Sequence, residues 1–70
     1  MELSARNQLT GTVTDIKEGA VMAEVTVRLT GGEELVSVIT VTSVQRLGLK
    51  PGSEVTVVIK ATEVMLATGT

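Results

Sequence analysis

The chain has 70 residues and a formal net charge of −2, and it contains no cysteine, no histidine and no aromatic residue. This length allows one domain over residues 1–70 with only a modest core. Without Cys or His, neither a disulfide nor a structural zinc site of the usual kind can reinforce that core. The core must be aliphatic and weak in isolation, so we expect a homo-oligomer.

The composition also argues against several classes of protein. Nucleic-acid-binding domains usually have a basic face and stack bases on aromatic rings, and this acidic chain has no aromatic residue. No apolar run approaches the ~18 residues of a membrane span. The first residues lack the basic and apolar segments of a signal peptide, so we expect a cytoplasmic protein.

Catalysis is not expected from these residue types. The usual nucleophile–base pairs need His, Cys or Tyr, and all three are absent. The carboxylates flank predicted turns or lie on a polar strand face, where solvated surface is the simplest interpretation. We therefore expect no enzyme and no protein-ligated metal ion.

Three strands are predicted in the first part of the chain. Residues 9–16 are rich in Thr and Val, which suit a pleated surface, and Gly11 within them indicates a bulge or a close backbone approach. Residues 22–29 alternate between apolar and polar side chains, as in a strand with one wet face. A Gly-containing turn leads to a return strand over residues 35–40. On that strand Val36 and Val38 share a face too apolar for water, so we expect it to pack on something.

The periodicity then changes to that of a short helix. Residues 42–45 match a capping box, a hydroxyl followed three residues later by Gln, and Gly48 is a C-terminal stop. Residues 54–59 predict a fourth strand, and residues 64–67 a short fifth one. Three strands, a helix and two strands are the element order of the OB fold. We therefore expect an all-β, five-stranded Greek-key barrel with one helix between strands 3 and 4.

Two short polar stretches, residues 4–8 and 60–62, flank this β-rich region. Arg6 offers a planar fork of donors and Lys60 a compact positive charge. Ser4 and Thr62 add hydroxyl groups, and small neighbours leave backbone N–H groups accessible. Such an excess of donors over acceptors suits a small oxyanion. Taken singly, each of these residues is equally consistent with a solvated chain end.

Several segments resemble the molbindins, which are free-standing versions of the molybdate-binding, transport-associated OB domain. The resemblance covers nearly the whole chain, and its most specific parts are the opening Ser-Ala-Arg-Asn and the late Ile-Lys-Ala. The matching segments are Ser4-Ala5-Arg6-Asn7-Gln8-Leu9, Glu18-Gly19-Ala20-Val21, Ile39-Thr40, Arg46-Leu47-Gly48-Leu49 and Val58-Ile59-Lys60-Ala61-Thr62-Glu63-Val64-Met65.

This resemblance implies a cytoplasmic protein that binds molybdate or tungstate for storage or homeostasis. It also implies barrels that exchange strands and assemble as a hexamer, a trimer of dimers, with the anion at subunit boundaries. The implied oxyanion site comprises Ser4, Ala5, Arg6, Lys60 and Ala61, with Thr40 and Ser43 from a neighbouring subunit. Ser43 would lie in the first helical turn, where free N–H groups favour anions. A second site is implied near Gly19, Ala20 and Val21.

Two alternatives remain open from the residues alone. One is an OB-type nucleic-acid-binding module, which the missing aromatic residues and the acidic charge disfavour. The other is a purely structural assembly module. A titration with anions would distinguish these three functions.

Overall fold

The computed structural model describes residues 3–69, which form one curled antiparallel sheet of four strands with a short helix. The strand order in the sheet is β3-β2-β1-β4. The elements are β1 (Asn7–Glu18), β2 (Met22–Leu29), β3 (Glu34–Thr40), helix α1 (Val41–Leu47), β4 (Glu54–Ile59) and a 3₁₀ turn (Ala61–Glu63). The all-β, OB-like architecture and the helix between strands 3 and 4 agree with the sequence prediction.

Strand β1 organises the sheet because it pairs on both sides. Residues 7–12 pair with β4, and residues 11–18 pair with β2. At Thr14 one extra residue interrupts the β1–β2 register, so the inward face passes from Val13 to Ile16. A bulge of this kind bends the strand and increases its twist, which curls the sheet.

Gly11 lies at a position of β1 where β2 leaves no room for a side chain. A Cβ at this position would lie 2.5 Å from Val27 Cγ1 and 2.9 Å from the Arg28 carbonyl oxygen. Gly11 itself is buried and keeps regular pairing with both neighbouring strands. Of the two interpretations of this glycine, the close backbone approach is therefore the correct one, and the bulge lies three residues further on.

The core is small and consists of aliphatic side chains. The buried hydrophobic residues are Val13, Ala23, Val25, Val27 and Val44. Three of them come from β2, whose alternating pattern thus directs one face inward as predicted. Val44 comes from α1, so the helix covers one end of the curled sheet and contributes one side chain to the core.

The caps of α1 differ partly from the prediction. Thr40, not Thr42, is the N-cap: its Oγ1 accepts a hydrogen bond from the Ser43 N–H at 3.0 Å. The capping box over residues 42–45 is wrong, because the helix begins at Val41, two residues earlier than that motif requires. The C-terminal end is as expected: Gly48 has φ 64°, the left-handed conformation that glycine adopts without steric cost.

The expected fifth strand is absent from the described residues, and the barrel stays open. Residues 64–67 form no ladder with any strand, and β3 and β4 are not paired with each other. A strand needs a partner for its backbone N–H and C=O groups. After the 3₁₀ turn this segment pairs with no strand of residues 3–69, although the edges of β3 and β4 are free, and Met65 and Leu66 are 91% and 92% exposed.

The gap between β3 and β4 is an open apolar groove of about 520 Å³. Val13, Val25 and Val27 contribute to its lining together with residues of the two edge strands and Leu47. On the outer face of β3, Val36 and Val38 remain 57% and 60% exposed. No other element of residues 3–69 covers that face.

Candidate functional site

The two polar stretches predicted at the chain ends lie side by side in the structure. Ser4, Ala5 and Arg6 form one wall of a cleft of about 180 Å³, and Lys60, Ala61 and Thr62 form the other. Pairing of β1 with β4 produces this arrangement, because its last rung joins Asn7 to Ile59. Arg6 and Lys60 thus leave the sheet from adjacent positions. We call this cleft the terminal cleft.

Within residues 3–69, the side chains that line the terminal cleft have no internal partners. Arg6 and Lys60 form neither a side-chain hydrogen bond nor an ion pair in this part of the chain, and both are exposed. The ion pair found there, Arg28 with Glu34 at 3.9 Å, lies on β2 and β3. The cleft therefore concentrates two positive charges whose donors are available to a ligand.

Backbone donors add to these charges at the start of the 3₁₀ turn. In that turn the Glu63 N–H donates to the Lys60 carbonyl at 2.9 Å, and the Val64 N–H donates to that of Ala61 at 3.3 Å. The first N–H groups of such a turn have no carbonyl behind them to bond. The N–H groups of Ala61 and Thr62 have no backbone acceptor among the described residues. The Ala61 N–H is thus available to bind an oxyanion, as expected.

Thr62 is a lining residue that the expected site omitted. The sequence indicates a hydroxyl donor at this position, and the family resemblance assigns it no role. The structure places it on the same wall as Lys60 and Ala61. Its position inside the 3₁₀ turn is the physical reason, because residues 60–62 fold back on one side of the cleft and do not continue β4.

Thr40 and Ser43 lie far from the terminal cleft in the same chain. Arg6 precedes the first residue of β1, whereas Thr40 pairs with Met22, beyond the last residue of β1. Since β1 has 12 residues at about 3.3 Å each, the two clusters lie near opposite ends of a long strand. One chain does not assemble the complete set of expected ligands.

The two hydroxyl groups at the start of α1 form a local network. Thr40 Oγ1 donates to Ser43 Oγ at 2.8 Å and accepts from the Ser43 N–H. The Ser43 hydroxyl proton remains available to a ligand. The expectation of free backbone N–H groups here is wrong for Ser43, and the Val41 N–H is also taken, by the Val21 carbonyl at 2.8 Å.

Gly19, Ala20 and Val21 form the exposed turn between β1 and β2. The Gly19 N–H donates to the Met22 carbonyl at 2.8 Å, and the Val21 carbonyl bonds the start of α1. This turn therefore lies beside Thr40 and not beside the terminal cleft. Its small side chains provide no charged group.

Two larger depressions lie elsewhere on the surface. One is the apolar groove between β3 and β4, and the other, of about 430 Å³, is lined mainly by threonines of β1 together with Arg28 and Glu54. Neither combines several unpaired cations with accessible backbone donors. The terminal cleft is the smallest of the three but has the chemistry that an anion requires.

Residues 3–69 contain no cluster of Asp, Glu, His or Cys that could hold a metal ion. Across that same part of the chain, α1 is far too short to cross a membrane, and no helix has the length and apolar character for a span.

The sequence and the fold of this chain are both similar to those of known proteins. The TOBE domain family matches residues 3–66. Molybdenum-pterin-binding protein 1 of Clostridium pasteurianum is 48% identical over 66 residues, which are 94% of this chain and 97% of that protein. A molybdate-binding protein from Sporomusa ovata has a solved structure with 44% identity and a TM-score of 0.92, covering 97% of this chain and 100% of that one.

A third relative is longer than this chain. The solved structure of ModG with molybdate bound, described as a cytoplasmic molybdate-binding protein, is 57% identical with a TM-score of 0.84. The similarity covers 87% of this chain and 43% of that one. All three relatives are named as binding proteins, in agreement with the prediction of a protein that is not an enzyme.

Proposed function

This chain belongs to the TOBE domain family, and on that basis we propose that it binds molybdate, or tungstate, as a free oxyanion. The match confirms the molbindin resemblance of the sequence. The observation that carries the proposal is the terminal cleft, which Arg6 and Lys60 line together with two hydroxyl groups and the unbonded backbone N–H groups of Ala61 and Thr62. A tetrahedral dianion presents four acceptor oxygens and two charges to this set of donors.

The dimensions of the cleft favour a small anion over a larger ligand. Pockets for drug-sized molecules usually enclose ~300–1,000 Å³, whereas this cleft encloses about 180 Å³. A pterin ring would be expected to stack on aromatic side chains, and the chain contains no aromatic residue. The name of the Clostridium relative includes a pterin, so free pterin is a necessary control in any binding experiment.

The oxyanion site extends to a second subunit in this proposal. Ser4, Ala5, Arg6, Lys60, Ala61 and Thr62 provide one side, and Thr40 and Ser43 of a neighbouring copy provide the other. The terminal cleft is open to solvent in one chain, and Thr40 and Ser43 lie near the opposite end of β1. A neighbouring copy that covers the cleft would exclude water and strengthen every charged contact inside it.

The open barrel supports assembly into a homo-oligomer. A groove between two unpaired strand edges lies beside β4, and the same chain ends in an exposed apolar segment around Met65 and Leu66. Exchange of this segment into the groove of a second copy would pair the strand edges and complete a five-stranded barrel. A hexamer built from such dimers is the assembly that the family resemblance implies.

Two further elements of the proposal extend the same function. The turn formed by Gly19, Ala20 and Val21 is a second anion site near a symmetry axis of the assembly, as the family resemblance implies. The protein stores or buffers the oxyanion in the cytoplasm, the compartment given for ModG.

Calorimetric titration of the purified oligomer with molybdate tests this function directly. We expect saturable binding in the micromolar range or tighter, weaker binding of sulfate because it is smaller, and none of free pterin. Elemental analysis of the protein as purified should detect molybdenum. If molybdate and sulfate give the same weak heats, the anion site is wrong. If single-stranded DNA binds instead, the nucleic-acid alternative is correct.

A further inference from the structure

Asn7 joins the two walls of the terminal cleft at their base. Its side-chain Nδ2 donates a hydrogen bond to the Ile59 carbonyl at 3.3 Å, and the two residues are partners in the β1–β4 ladder. Asn7 directly follows Arg6, and Ile59 directly precedes Lys60. The bond is partly buried and spans 52 positions of sequence, so it connects the two ends of the fold.

A neighbouring amide orients the first wall. Gln8 Nε2 donates to the Ala5 carbonyl at 3.3 Å. Because a peptide unit is planar, this contact restricts the orientation of the unit that joins Ala5 to Arg6. The wall formed by residues 4–6 has no regular secondary structure, so these amide contacts are its side-chain restraints among the described residues.

We propose that Asn7 is a positioning residue for the oxyanion site, holding Arg6 and Lys60 at the separation that a tetrahedral anion requires. This inference rests on the proposed function. Asn7 acts through its neighbours, because its side chain bonds the Ile59 carbonyl and is not among the residues that line the terminal cleft. Groups that orient ligands in this way affect affinity, since a ligand that must first draw two walls together binds more weakly.

The chain itself supplies a matched design for the test. Elsewhere in the sheet, Thr14 Oγ1 donates to the carbonyl of Thr26 on the neighbouring strand at 3.3 Å, the same length as the Asn7 contact. Threonine at position 7 keeps a hydroxyl donor on the side chain, whereas valine has the same shape without a donor. Asn7→Thr and Asn7→Val differ only in whether the side chain carries a hydroxyl donor. Thr14→Val removes a cross-strand hydrogen bond of the same length away from the cleft.

The experiment is calorimetric titration of molybdate into the full-length oligomer and these variants, with oligomeric state checked by sedimentation. We expect Asn7→Val to weaken binding by about tenfold or more, as substitution of orienting groups around bound metals does. Asn7→Thr and Thr14→Val should stay within about threefold of the parent. In combination with Lys60→Ala, the effect of Asn7→Val should shrink, because only one cationic wall remains to be positioned.

Three outcomes would overturn the inference. Equal losses for Asn7→Val and Thr14→Val would mean that Asn7 contributes only to general stability. Equal affinities of Asn7→Val and Asn7→Thr would exclude a role for the hydrogen bond. If Asn7→Val does not assemble, Asn7→Ala replaces it, and loss of assembly in both variants would show that the role is structural. Failure of the parent protein to bind molybdate would instead refute the proposed function itself.

Discussion

Removal of one cation from the terminal cleft tests the site and also reports whether a second subunit covers it. The substitutions are Arg6→Ala and Lys60→Ala. In one chain both side chains are exposed, and a solvent-exposed charge pair contributes only ~0.2–1 kcal/mol. Loss of such a contact would weaken molybdate binding by no more than about fivefold.

The expected effect is larger if a neighbouring copy encloses the cleft. Hydrogen bonds to charged groups that are removed from water contribute ~1.5–3 kcal/mol. At about 1.4 kcal/mol per tenfold change, that corresponds to a loss of roughly 10- to 150-fold for either substitution. We expect this larger loss, because Thr40 and Ser43 can join the site only from another chain.

Isothermal titration calorimetry at physiological salt measures these losses. The matched controls are Arg28→Ala, whose parent side chain pairs with Glu34 on the sheet surface, and Arg46→Ala in the last turn of α1. Both change the net charge by the same amount as the cleft substitutions and should leave the affinity almost unchanged. Equal losses at all four positions would show that general charge attracts the anion and would refute a localised site.

Three further predictions concern packing and assembly. Gly11→Ala should destabilise the fold by ~1–3 kcal/mol, measured by urea unfolding against Thr12→Ala, because the new methyl group would overlap Val27 and the Arg28 carbonyl. Met65→Asp combined with Leu66→Asp should lower the sedimentation coefficient relative to Thr68→Asp; an unchanged oligomer would exclude the C-terminal segment from the interface. Molybdate at a hundredfold excess over its Kd should slow exchange between labelled and unlabelled subunits, because binding to the assembled state alone stabilises it by ~2.7 kcal/mol per site; an unchanged rate would remove Thr40 and Ser43 from the site.

Local sequence patterns determined most of the secondary structure. The alternation in residues 22–29 predicted β2 with its bounds, since a strand with one buried face requires that period. Gly48 marked the end of α1, because few other residues adopt its backbone conformation. The pairing of an arginine and a lysine at opposite ends of the chain indicated an anion site before any geometry was known.

Long-range contacts decided the rest, because no local pattern encodes them. The start of α1 depended on which hydroxyl could reach the Ser43 N–H, and Thr40 does so from the end of β3. Residues 64–67 were expected to form a strand, but they pair with neither open edge of the sheet in residues 3–69 and form no strand there. Residue types alone indicated which side chains could donate to an anion. Only the β1–β4 register brings Arg6 and Lys60 together and pairs Asn7 with Ile59 at the base of the terminal cleft.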